Sequence, residues 1–126
     1  MAAPSMTFNA AGNIRSSSSL AASGTASYNL DYSAKFEGQI SVKNTPGGTV
    51  ATTRGLRVEL LPRYGSTLAD TTIAVQDYTL PSAVASTAES RTFYVGPGKW
   101  VLKITNLDAT NAITVEITDA TIDAVS

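Results

Sequence analysis

From Thr25 onward apolar residues recur at every second position, and that period decides what this chain can fold into. Ala26, Tyr28, Leu30 and Tyr32 alternate with polar neighbours, and so do Phe36, Gly38, Ile40 and Val42. Leu56, Val58 and Leu60 alternate with Arg57 and Glu59; Trp100, Leu102 and Ile104 repeat the pattern, then Ile113, Val115 and Ile117. A period of two sends successive side chains to opposite faces of an extended chain. Each segment therefore reads as a half-buried β-strand. Ala83 to Glu89 favours a helical turn but is too short to stand alone.

Turn chemistry separates these segments. In Asn44-Thr45-Pro46-Gly47-Gly48 proline presets φ and glycine supplies positive φ. Thr49 to Thr53 is a short β-branched run, Pro62 is expected to end the strand before it, and Thr71 to Leu80 reads as a strand stopped at Pro81. Gly96-Pro97-Gly98-Lys99 and Asn106 to Asn111 are further turns. They join strands Arg91–Val95, Trp100–Asn106 and Ala112–Thr118, which predicts a β-meander, with a last short strand from Thr121 to Val125. Roughly seven to nine such strands predict an all-β fold, an antiparallel β-sandwich. The missing Cys-Trp-Cys framework of immunoglobulin domains makes it jelly-roll-like. The expected core comprises Tyr28, Leu30, Phe36, Ile40, Val42, Leu56, Val58, Leu60, Ile73, Val75, Phe93, Trp100, Leu102, Ile104, Ile113, Val115 and Ile117. Trp100 is the truncation expected to cost most, about 3–5 kcal/mol.

Residues 1–24 differ. Ala2-Ala3-Pro4-Ser5 and Ser16 to Ser19 are small and polar, with apolar anchors only at Met6, Phe8, Ile14 and Leu20. They read as an extended N-terminal arm, with one short strand near Met6 to Phe8, before a sandwich domain over residues 25–126. Phe8, Ile14 and Leu20 are the candidate anchors if the arm orders on a partner. No basic segment followed by an apolar one marks a signal peptide, and no apolar run reaches the ~20 residues of a membrane span. The expectation is synthesis in a host cytoplasm, with no membrane partner.

The chain contains no histidine and no cysteine. The commonest general base, metal ligand and soft nucleophile are thus missing together. A serine nucleophile would need a buried lysine, and nothing in the spacing of Lys35, Lys43, Lys99 or Lys103 places one beside a serine. Glu59 with Asp77 is a possible carboxylate pair, but no motif singles it out. Oxygen ligation of Ca²⁺ has candidates in Asn106, Asp108, Asn111, Asp119 and Asp123. Their spacing is not that of a calcium loop, and turn geometry alone explains Asn and Asp there. The glycines lie between strands and make no phosphate cradle. No catalytic residue, metal or cofactor is assigned, and an enzyme is not expected.

Only 15% of residues are charged, against roughly 25% in typical domains, and the net charge is −1. Phosphate neutralisation needs clustered cations, so nucleic acid is not an expected partner. Lys35, Lys43, Arg54, Arg57 and Arg63 gather in one stretch, while every charge after Lys103 is acidic. Such halves can orient subunits across an interface. Phe93 and Tyr94 point to opposite faces of their strand, so an exposed Tyr94 near Arg91 or Tyr64 is a further candidate contact, for a protein or a sugar.

The stretch Phe93-Tyr94-Val95-Gly96-Pro97-Gly98-Lys99-Trp100-Val101-Leu102-Lys103-Ile104-Thr105-Asn106-Leu107, followed by Ala112-Ile113-Thr114-Val115-Glu116-Ile117, resembles the final strands of small jelly-roll modules. Such modules occur in phage head-decoration (cement) proteins and in non-catalytic modules of secreted bacterial enzymes. A small-residue arm, low charge and the lack of reactive side chains make the whole chain similar to the decoration proteins. That resemblance implies a bacteriophage virion structural protein: a homotrimer on the capsid surface that bridges subunits of the major capsid protein. The alternatives are a carbohydrate-binding module, or another virion component such as a tail or fibre domain.

Overall fold

In the computed structural model, backbone is described for residues 5–8, 12–47, 55–64, 68–69, 76–81 and 86–125, and side chains within 12–47, 55–63, 76–80 and 86–123. The strands are β1 (Ser5–Phe8), β2 (Gly12–Leu20), β3 (Thr25–Asp31), β4 (Glu37–Pro46), β5 (Gly55–Tyr64), β6 (Leu68–Ala69), β7 (Gln76–Pro81), β8 (Glu89–Val95), β9 (Lys99–Asn106) and β10 (Ile113–Val125). All pairings are antiparallel.

One sheet runs β2–β10–β4–β8, with β1 on the same side of β10 as β2; the other runs β3–β9–β5–β7, with β6 also on β5. The pairs β5–β7, β4–β8, β3–β9 and β2–β10 are nested in sequence and alternate between sheets. A long hairpin rolled up in this way is a jelly roll, as the alternation and turns predict.

The last three strands are where they were expected, but they do not form a meander. β8 pairs with β4, β9 with β3 and β5, and β10 with β2 and β4. Gly96 to Gly98 and Leu107 to Ala112 are arches between sheets rather than hairpin turns. Alternation reports that a strand is half-buried; it carries no record of which strand lies beside it. Gly98 has φ +135°, which a side chain rarely tolerates, and Tyr32 donates its N–H to the Gly98 carbonyl at 2.7 Å. The two terminal strands expected at Ala112–Thr118 and Thr121–Val125 are one, the 13 residues of β10. Pro62 does not end β5, which runs to Tyr64; β7 stops opposite Leu60, so beyond it that neighbour no longer demands a donor.

The N-terminal segment is extended, but it belongs to the sandwich. Ser5–Phe8 pairs with Ile122–Val125, and Gly12–Leu20 pairs with Ile113–Asp119, along the same edge of β10. β2 carries one extra residue between Ser18 and Arg15 and another between Arg15 and Asn13. A further slip separates Gly12↔Asp119 from Phe8↔Ile122. The segment is therefore one interrupted edge strand, and a boundary at residue 24 cuts through the sheet. Small polar side chains hid it, because an edge strand has little apolar surface to alternate.

The core is Ile40, Val42, Leu56, Val58, Leu60, Leu102, Ile104, Val115 and Ile117, each at most 1% exposed, with Leu30, Phe93 and Ile113 close behind. Leu20, Tyr32, Leu80 and Val95 join it without having been singled out as core. Tyr28 and Trp100 only pack against it, and Phe36 is 51% exposed. Phe36 continues the alternation of β4 but lies just outside the strand, its N–H on the Ile122 carbonyl at 2.8 Å. Ile73, Val75, the Thr49–Thr53 run and residues 83–85 of the expected helical turn lie outside the described residues; Glu89 opens β8.

Gly38 sits in β4 under the Tyr32 ring. A Cβ there would lie 2.8 Å from Cε2 and 2.9 Å from Cδ2. Gly38→Ala is expected to cost about 1–3 kcal/mol in urea unfolding, because the ring is held and cannot step aside. Leu102→Ala is expected to cost about 2–5 kcal/mol and to exceed Trp100→Ala. The order reverses the expectation from side-chain size, because Trp100 lies at the end of the core with its Nε1–H on the Gly96 carbonyl at 3.1 Å.

Candidate functional site

The carboxylates are arranged to hold the fold. Glu59 faces Asp77 across β5–β7, but Arg57 lies between them. Its Nε and Nη2 donate to Asp77 at 3.1 and 2.7 Å, and Nη2 is 3.6 Å from Glu59. The guanidinium hydrogen bond holds the Asp77 carboxyl below its usual range. A carboxyl kept ionised cannot serve as a general acid, and both Asp77 oxygens are occupied by Arg57.

The Asn106–Asn111 arch is a closed polar network. The buried Asn106 amide donates to the carbonyls of Leu20, Ala21 and Asn111 at 3.3, 3.1 and 2.9 Å, and its Oδ1 accepts from the Asp108 N–H at 3.0 Å. Asp108 Oδ1 accepts from the Thr110 N–H, the Thr110 hydroxyl and the Asn111 N–H, and Oδ2 accepts from the Asn111 amide. These donors, the Thr110 N–H foremost, hold the Asp108 carboxyl far below the ordinary carboxylate range. Both oxygens are engaged by the chain, leaving little capacity to ligate an ion. Asp119 accepts from the Tyr32 hydroxyl at 2.7 Å, and Asp123 is 3.2 Å from Lys35. Burial, helped by Asp119, pushes the Tyr32 phenol up. Among the described residues no acidic group of three or more converges for a metal.

The basic and acidic stretches meet within the chain. Lys35 reaches Asp123, and Lys43 stands opposite Glu116 in the β4–β10 ladder. Their segregation along the sequence reflects antiparallel pairing and gives no reason to invoke a second subunit.

Each open side of the sandwich carries an arginine and a tyrosine. Between β2 and β3, Arg15 fills the slipped register. Its Nε donates to the Val115 carbonyl at 3.2 Å, Nη1 to the Tyr28 hydroxyl at 2.7 Å and Nη2 to the Ser19 carbonyl at 3.0 Å. Between β8 and β7, the Arg91 guanidinium stacks 4.3 Å above the Tyr78 ring, which meets Phe93 edge-on at 5.5 Å. Arg91 thus lies with Tyr78, not beside Tyr94. Burial raises the Tyr78 phenol.

The outer face of β8–β4–β10 is the candidate binding face. Gln39, Ser41 and Lys43, Ser90, Thr92 and Tyr94, and Thr114, Glu116 and Thr118 alternate with buried neighbours and so share it. Ser41 and Thr92 hydroxyls bond at 2.7 Å. Tyr94 opposes Gln39 and is 60% exposed. Of the other expected anchors, Leu20 is 7% exposed within the core and Ile14 packs against it, so both are spent internally. Phe8 pairs with Ile122, and its side chain, like that of Tyr64, lies outside the described residues. The hydroxyl-bearing residues around Tyr94 carry no chemical signal in a sequence; only their alternation with Ile40, Val42 and Phe93 marks them.

Asn106→Ala is expected to lower stability by about 3 kcal/mol in urea unfolding, since it removes the amide's bonds to three carbonyls and the acceptor of the Asp108 N–H. Asp108 has a folded-state pKa below its unfolded one. Its contribution is therefore present above the unfolded value, about pH 4, and is lost as pH falls toward the folded value. Melting temperatures of Asp108→Asn are expected to fall less steeply than wild type between about pH 4 and pH 2.

No family model and no curated protein matches this chain. Among solved structures it is similar to the native structure of a family 35 carbohydrate binding module from Clostridium thermocellum, at 12% identity and a TM-score of 0.43, over 94% of this chain and 98% of that one.

Proposed function

We propose that this chain is a non-catalytic structural protein that docks on a protein shell through the outer face of β8–β4–β10. The observation that carries the reading is the composition of that face. It offers hydroxyls and amides around an exposed Tyr94, and its charges, Lys43 and Glu116, stand opposite one another. Interface cores are depleted in charge and enriched in tyrosine, because ions are costly to desolvate and a phenol ring supplies rigid area with one polar end. The specific form of the proposal is decoration of a phage capsid: copies, grouped as a homotrimer, bridge major capsid protein subunits, and several modest contacts act together. A sugar is the second reading, favoured by the same exposed ring beside Gln39 and Thr92, since a flat ring face stacks on a pyranose.

Co-sedimentation with purified shells of the virus that carries the gene tests this. Wild type is expected to pellet with shells, and Tyr94→Ser to bind about tenfold more weakly with an unchanged melting temperature. Wild type that stays in the supernatant with shells, yet is retained on an insoluble polysaccharide, decides for the sugar.

A further inference from the structure

The two edges of the β2–β10–β4–β8 sheet meet solvent differently. On the β1/β2 edge the register slips three times and Arg15 fills the gap, which protects an edge against pairing with another chain. On the opposite edge, β8 pairs with β4 at every position from Asn44↔Glu89 to Gly38↔Val95 without a slip. No described strand pairs with its far side. It contains no proline, glycine or lysine, and Ser90, Arg91, Thr92 and Tyr94 are exposed. The Tyr94 carbonyl accepts from Gln76 Nε2 at 3.0 Å, so it points away from β4. Backbone direction alternates along an antiparallel ladder, so Ser90 and Thr92 turn their N–H and C=O groups the same way. Among the described residues the edge is capped at Tyr94 and open at Ser90 and Thr92.

A second observation names what fits there. The guanidinium groups of Arg15, Arg57 and Arg63 all donate to oxygens of the chain. That of Arg91 lies on the Tyr78 ring and, among the described residues, makes no hydrogen bond or ion pair. Stacking sets the plane of the group, and Phe93 holds the ring in turn. The unused N–H fork is complementary to a carboxylate.

We propose that β8 is a strand-addition site for an extended partner segment that bears an Asp or Glu. The segment pairs with the backbone of Ser90 and Thr92. Its carboxylate bonds Arg91 on one side of the strand, and the next side chain lies against Tyr94 on the other. The inference rests on the reading of the chain as a docking module and names the chemistry of its partner.

The test is a titration of ¹⁵N-labelled full-length protein with the blocked peptide Thr-Val-Glu-Val-Thr and with its Gln counterpart. The Glu peptide is expected to shift the Ser90 and Thr92 amides and slow their exchange, and the Gln peptide to bind about tenfold more weakly. Arg91→Gln is expected to erase that difference, and Thr92→Pro, which removes an edge N–H, to abolish binding. Because Thr92→Pro also removes the hydroxyl bond to Ser41 and strains the strand, Arg91→Gln decides the case. Equal binding of the two peptides, shifts away from β8, or an Arg91→Gln protein that still prefers Glu overturns the proposal. Wild type that pellets with shells while neither peptide touches β8 overturns the strand-addition site and leaves the docking reading standing. Peptide binding at β8 without shell binding does the reverse.

Discussion

The ladder along both edges of β10 is the constraint on which the rest of this structure depends. β10 is hydrogen-bonded to β4 on one side and, on the other, to β2 and then β1. The last strand of the chain therefore holds the first ones and lies at the centre of its sheet. Ile113, Val115 and Ile117 take one face of the sheet into the core, and Thr114, Glu116 and Thr118 take the other to the candidate binding face. Joining residues 5–20 and residues 113–125 in one ladder closes the roll. The cost is a large number of contacts between residues distant in sequence, which slows folding in proteins of this kind.

Two devices let the ladder persist. The arch before β10 is rigid because Asn106 and Asp108 bind the carbonyls and N–H groups that a turn between sheets leaves unpaired. The open sides of the sandwich are finished by Arg15 with Tyr28 and by Arg91 with Tyr78. The first pair spends its donors on the chain, whereas the Arg91 guanidinium makes no hydrogen bond among the described residues. On that difference rests the proposal of a partner site at β8.

Much of the fold was legible in the residues. Period-two alternation placed β4, β5, β8 and β9 to within a few residues, because burial on one face is a local demand that each strand must satisfy by itself. Which partners the carboxylates take, arginine, lysine, tyrosine and turn donors, was not legible, because it depends on neighbours distant in sequence. The edge strand β2 was harder to see, since Ser16 to Ser19 face water and carry no periodic signal. The candidate face was half legible. Tyr94 followed from its opposition to Phe93, whereas the neighbours supplied by β4 and β10 required the register.

What the amino-acid sequence determined by itself was local: which segments are strands, which residues face the core, and which side-chain types the chain has to work with. Each follows from side-chain type and spacing within a few residues. What only the tertiary structure decided was neighbourhood. It made arches of the turns at Gly96–Gly98 and Leu107–Ala112, brought residues 5–20 alongside residues 113–125, and turned segregated charges into pairs within the chain. The physical reason is that a strand's hydrogen-bonding groups are the same in every residue but proline. Pairing is then settled by how whole sheets bury their apolar faces together, and the sequence of any one strand does not contain that.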